Sequence, residues 1–142
     1  MSPLGKDSPR AQLTPFEEYP LALNYEVGRK GESLARGFLE SEGYCVLKSN
    51  FRCPIGEIDF ICQEGKAVVF VEVKTRTNNE AGAPEEAVHA RKQKKLYRVA
   101  EWYLNEAGYR GEYPVRFDVI SILAEPGSQN PDIKIFRNAF SL

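Results

Sequence analysis

The spacing of apolar positions divides the chain into alternating helical and extended stretches after an irregular start. From Val27 to Glu42, the residues Leu34, Ala35, Phe38 and Leu39 recur at i, i+1, i+4 and i+5, which predicts a helix with one buried stripe. Gly43 supplies its stop. Tyr44 to Lys48 alternates as a short strand, and "SNFRCPIG" reads as a connecting loop or bulged stretch. Ile55 to Cys62 alternates again, "QEGK" is turn-like, and the valine-rich Ala67–Lys74 is the next strand. "TRTNNEAGAPEEA" begins as loop and becomes a helix start. Pro84 suits the first helical position, and Glu85 and Glu86 suit the positive end of the helix dipole. That helix is expected to run to about Ala107 with Val88, Leu96, Val99, Ala100, Tyr103 and Leu104 inward, ended by Gly108. Strands are expected at Val115–Leu123 and Asp132–Phe136, separated by the loop "AEPGSQNP". The order is α-β-β-β-α-β-β, the pattern of an α/β fold in which helices flank a mixed β-sheet.

Composition narrows the class. At 142 residues, 42% hydrophobic and 27% charged, the chain is expected to form one globular domain, residues 25–142. Residues 1–24 hold four of the nine prolines and no periodicity, and are expected to be a flexible tail. No apolar run reaches the ~20 residues of a membrane helix, and the start lacks the apolar core of a secretory signal. The three cysteines, Cys45, Cys53 and Cys62, form no C-x-x-C pair, and His89 is the only histidine, which argues against disulfide frameworks and zinc sites. Free thiols fit a reducing compartment, so a cytoplasmic location is expected. The net charge of −1 means that attraction to nucleic acid must come from local clustering.

The chemistry concentrates in "GEIDFICQEGKAVVFVEVK". Alternation puts Glu57, Asp59 and Ile61 on one face of the first strand, and Val68, Phe70, Glu72 and Lys74 on one face of the second. A two-residue turn at Gly65-Lys66 sets Asp59 opposite Glu72, within the ~5 Å of directly paired Cβ atoms; a four-residue turn leaves them diagonal at ~7–8 Å. A one-residue slip puts them on opposite faces. Paired carboxylates at a strand end repel, and a hard divalent cation resolves the repulsion, Mg²⁺ usually being held by one or two carboxylates plus waters. The competing reading is an ion pair of Lys74 with Glu72 or Asp59. A second feature is "HARKQKKLYR". Arg91, Lys94, Lys95 and Arg98 fall at i, i+3, i+4 and i+7, one stripe suited to phosphates or simply to solvent. Arg76, with Arg52, Lys48 and Lys74, extends such a patch. Arg116 and Asp118 share a strand face and are expected to pair, with Asp118 structural. Gln93 and Tyr97 lie on one helical face, Trp102 and Tyr103 read as rim and core, and His89 as a surface or capping residue.

"GEIDFI" followed by "VFVEVKTR" resembles the core of PD-(D/E)xK nucleases. With "GRKGESLARGFLESEGY", "NFRCPIGEIDFI", "PEEAVHARKQKKLYRVAEWYL" and "RFDVI", the ordered set resembles the YraN family of small bacterial proteins, related to archaeal Holliday junction resolvases. The resemblance covers roughly Val27 to Leu123 and implies a restriction-endonuclease-like fold. It implies Asp59 and Glu72 as metal ligands, Lys74 as the catalytic lysine, and Glu32 as a further acidic residue. The Val73 carbonyl is a further candidate ligand and Glu57 a candidate support. Ile58 stands where the motif usually has proline. The implied cofactor is Mg²⁺ or Mn²⁺, and the implied activity is hydrolysis of phosphodiester bonds in DNA, branched or damaged. Because many junction-cutting enzymes act as symmetric pairs, the resemblance also raises a homodimer. The alternative is a module that binds nucleic acid or docks a partner without cutting.

Overall fold

The computed structural model describes residues 24–76, 90–110, 113–124 and 130–140, with side chains described from residue 31 onward. Helix α1 spans Asn24–Ser41, strands β1, β2 and β3 span Cys45–Arg52, Glu57–Glu64 and Ala67–Arg76, helix α2 spans Ala90–Glu106, and β4 and β5 span Val115–Leu123 and Asp132–Phe136. The order α-β-β-β-α-β-β is the expected one. The tail expected over residues 1–24 lies outside the described residues except for Asn24, which opens α1. The expected start of the second helix, with Pro84, Glu85, Glu86, Val88 and His89, also lies outside them.

The five strands form one mixed sheet whose spatial order, β1-β2-β3-β4-β5, follows the chain. All neighbours pair antiparallel except β3 and β4, which run parallel, so the chain must cross over between them. α1 covers one face. Its Ala35 and Leu39 pack with Tyr44, Phe60, Cys62, Val69, Val71, Ile120 and Ile122. α2 covers the other, with Leu96, Val99, Ala100 and Tyr103 against Ile58, Ile61, Val68, Phe70, Phe117 and Val119. Aliphatic and aromatic side chains on both faces make β3 a central strand, as its run of valines requires.

Two boundaries differ from expectation in an instructive way. Of the loop or bulged stretch expected at "SNFR", the irregular strand is what forms: Ser49 pairs with Phe60, Phe51 with Ile58 and Arg52 with Glu57. A register shift between Val46 and Lys48, and Asn50 at φ 53°, disrupt the alternation that would have marked a longer strand. Gln63 and Glu64 also belong to β2, leaving a turn of only Gly65 and Lys66, with Gly65 at φ 60°.

A buried polar knot holds the end of the chain. Asp118 is fully buried, and accepts hydrogen bonds from the Tyr44 hydroxyl (2.7 Å), Arg116 Nε (2.9 Å) and the Asn138 N–H (2.8 Å). Burial, then the hydrogen bond to Asp118, pushes the Tyr44 phenol up. Asp118 is therefore committed to structure, as its pairing with Arg116 implied. Its carboxylate shares Arg116 with Glu64 and does not join Asp59 and Glu72. Among the described residues no helix is long and apolar enough to cross a membrane.

Candidate functional site

The two-residue turn decides the site. Glu64 pairs with Ala67, and the register continues to Phe60 opposite Val71. The pairing ends there, and Asp59 and Glu72 occupy the step just beyond it. The contact at that step is a hydrogen bond from the Val73 N–H to Asp59 Oδ2 at 2.7 Å. Both carboxylates point to the α2 side, where Glu72 is 8% exposed. They belong to a cleft of about 600 Å³ lined by β2, β3, the β1–β2 connection and α2. Its lining includes Asp59, Glu72, Arg52, Arg91, Lys92 and Lys95.

The electrostatics follow from crowding. Burial, and then the charge of Glu72, push the Asp59 carboxyl up to about 7; Glu32 pushes the same way, while the Val73 N–H and Lys92 oppose it. Lys92 reaches from α2 to Glu72, Nζ to Oε2 at 2.6 Å. Burial pulls the Lys92 ammonium down, but the hydrogen bond and charge of Glu72 outweigh it and raise it overall. Lys74, half-buried on the same face, is within hydrogen-bonding reach of Lys92. Burial, then the Lys92 ammonium, lowers its pKa against the opposing pull of Glu72 and Asp59.

Glu32 comes from the opposite helix. It sits in α1, where its Oε1 accepts from Asn50 Nδ2 at 3.2 Å. Its charge registers at Asp59. Gly31 makes that approach geometrically feasible, because a Cβ there would lie 2.7 Å from Thr75 Oγ1. The glycine lets α1 lie close against β3 beside Lys74, at the strand end that carries the site. The left-handed Asn50 completes the arrangement from the bulged strand.

The basic stripe divides. Arg91 and Lys95 line the cleft, whereas Lys94 and Arg98 are exposed on α2 and are not part of that lining. Gly56 sits directly beneath Lys95, whose Cε would be 3.0 Å from an added Cβ. Arg76 is half-buried at the end of β3, with its carbonyl accepting from the Ala124 N–H at 2.9 Å. Glu57 lines the cleft but is largely exposed and pairs with Arg52 at 3.2 Å. Sequence reasoning missed Lys92 as a site residue. It belongs to the basic run but not to the stripe at i, i+3, i+4 and i+7, and only the docking of α2 reveals its contact.

Two carboxylates side by side are a hard donor set, which fits a Mg²⁺ or Mn²⁺ ion that keeps several waters. The ammonium already on Glu72 marks the place as one that accepts a cation. Among the described residues no three His, Cys, Asp or Glu side chains gather into a ready-made cage, so Asp59 and Glu72 would share such an ion with water and substrate.

A family profile described as "Uncharacterised protein family UPF0102" matches residues 31–122. A UPF0102 protein of Clostridium botulinum (strain 657 / Type Ba4) is 39% identical over 119 residues, covering 84% of this chain and 97% of that protein. A UPF0102 protein of Caldicellulosiruptor bescii is 43% identical over 115 residues, 81% and 97% of the two chains. The matched region contains every candidate site residue named above, from Glu32 to Arg98.

Proposed function

We propose, for a chain that belongs to the uncharacterised UPF0102 family, that it is a metal-dependent endonuclease-like protein that hydrolyses phosphodiester bonds in DNA. The observation that carries this reading is the convergence of Asp59 and Glu72 in a cleft with Arg52, Arg91 and Lys95. Acidic residues that gather a dication, beside guanidinium and ammonium groups that gather phosphate, are the two needs of phosphodiester cleavage. The resemblance of "GEIDFI" and "VFVEVKTR" to PD-(D/E)xK nucleases, and of the wider set to archaeal junction resolvases, supports the same reading and favours branched DNA.

In this reading Asp59 and Glu72 hold the cation, with the Val73 carbonyl as a further ligand and Glu32 reinforcing the negative charge. A bound Mg²⁺ or Mn²⁺ supplies a polarised phosphate and a more acidic water. Arg91 and Lys95 seat the DNA backbone in the cleft. Lys74, next to Glu72 along β3, stabilises negative charge building on the phosphate.

A second reading is favoured by one observation. Lys92 already satisfies Glu72, so the site is neutralised without metal. In that reading the protein binds nucleic acid, or docks a partner, and does not cut.

Incubating the purified protein with linear, flapped and four-way-junction DNA separates the two. Mg²⁺, Mn²⁺ and chelator form the arms, repeated with Asp59→Ala. Cleavage that disappears with chelator and with the variant is the expected result. Salt-sensitive binding without cleavage of any substrate would establish the second reading instead.

A further inference from the structure

Lys92 is the one cleft cation bonded directly to a proposed metal ligand among the described residues. Its Nζ is 2.6 Å from Glu72 Oε2, and Glu72 is only 8% exposed. A carboxylate oxygen so enclosed cannot keep this contact and also serve a hydrated dication at the same position. An ion that takes Glu72 Oε2 beside Asp59 therefore displaces the ammonium. The displaced side chain remains anchored on α2 between Arg91 and Lys95, which line the same cleft, and its own exposure of 36% leaves room to turn. The acceptor that suits it there is a phosphate oxygen of the nucleic-acid backbone.

We infer that Lys92 is a substrate-positioning residue with two alternative partners, Glu72 when the site is empty of metal and a DNA phosphate when metal is bound. This rests on the reading proposed above. Metal and DNA then assist each other, since each removes the competitor of the other. DNA draws Lys92 away from Glu72 and opens the metal position; metal releases Lys92 to the backbone. Such coupling is reciprocal between the two ligands.

The test uses the full chain and three proteins, wild type, Lys92→Met and Lys92→Arg, with Asp59→Ala as a control. Mn²⁺ affinity is measured by titration calorimetry without DNA. Affinity for a short phosphorothioate duplex is measured by fluorescence anisotropy with and without Mn²⁺. Asp59→Ala corrects for Mn²⁺ acting on the DNA itself. Lys92→Met is expected to bind Mn²⁺ about tenfold more tightly than wild type. Mn²⁺ is expected to strengthen duplex binding by wild type about tenfold more than binding by Lys92→Met, in which only the ion's own contact with phosphate remains. Lys92→Arg restores the wild-type pattern in both measurements. A residue that merely stabilised the fold would not improve metal affinity on removal.

Equal or weaker Mn²⁺ binding by Lys92→Met overturns the inference and leaves the proposed metal site standing. No Mn²⁺ binding by any of the three proteins, with or without DNA, overturns both. Should Lys92→Met unfold without metal, folding restored by Mn²⁺ is the expected result. Failure to fold with Mn²⁺ present overturns the inference, because the dication then does not replace the ammonium.

Discussion

Replacing Asp59 by asparagine sets the cost of the carboxylate pair against its use. The amide oxygen can still accept from the Val73 N–H, the 2.7 Å bond of the wild type, but the side chain no longer ionises. Asp59 titrates near about 7 in the folded protein, up from 3.8. At 1.36 kcal/mol per pKa unit, holding it ionised costs about 4 kcal/mol at most. The folded state retains the proton more tightly than the unfolded chain. The stability associated with Asp59 is therefore complete below about pH 4, drains away as pH rises, and is gone above about pH 7. Asp59→Asn keeps that stability at every pH. In chelator, the two proteins should be close in stability near about pH 4, and the variant should melt roughly 10 °C higher at about pH 8. Mn²⁺ should close most of that gap. Saturation at a hundred times Kd adds about 2.7 kcal/mol to the wild type and little to the variant. Below about pH 7 the wild type should lose about tenfold in metal affinity per pH unit, because the ion must expel a proton. Thermal unfolding followed by circular dichroism, across pH and with chelator or Mn²⁺, measures all of this. A variant less stable than wild type in chelator at high pH, or an equal Mn²⁺ shift in both proteins, would refute the argument.

Other expectations test the surroundings of the site. Gly31→Ala gains about 1 kcal/mol of helix preference. It also places a methyl group 2.7 Å from Thr75 Oγ1, and overpacking of this kind costs about 1–3 kcal/mol. Urea unfolding should show a net loss, with recovery in Gly31→Ala/Thr75→Ala; an unchanged or higher midpoint for the single variant contradicts the close approach of α1. Arg91→Ala with Lys95→Ala should flatten the slope of log affinity for DNA against log salt by about two, at about 0.9 for each phosphate no longer neutralised. Lys66→Ala, on the β2–β3 turn, should leave the slope unchanged, and equal slopes for all three proteins would remove the cleft from the interface. Burial, then the charge of Asp118, pushes the Cys62 thiol up to about 12. Iodoacetamide at mildly alkaline pH should therefore label exposed Cys45 and spare Cys62 until the protein unfolds, as mass spectrometry would show. Labelling of both at one rate would contradict the packing of β2.

The parts of the fold legible in the sequence are those set by local rules. Val115–Leu123, apolar over much of its length, and Asp132–Phe136, which alternates, appear as strands with those bounds. The valine run of β3 and the short Gly65-Lys66 turn fix the register that brings Asp59 to Glu72. What the sequence concealed depends on contacts between distant segments. Asn50 and the register shift after Val46 break the alternation of β1, so the strand reads as loop. Lys92 finds Glu72 only through the crossover from β3 to α2. Tyr44 meets Asp118 from the far side of the sheet, a partnership for which neither neighbourhood in sequence offers a cue. Glu32 is suggested by the resemblance alone, and its proximity to Asp59 depends on Gly31 lying against Thr75.

Because the sheet is ordered as the chain is ordered, the site has a history during synthesis. A nascent polypeptide that has emerged through β3 can already fold its hairpin, placing two acids face to face while α2 is still within the ribosome. For that interval Lys74 is the sole amine of the trio with Lys92 and Lys95 to have emerged. Only when the later helix follows does Lys92 reach across to Glu72.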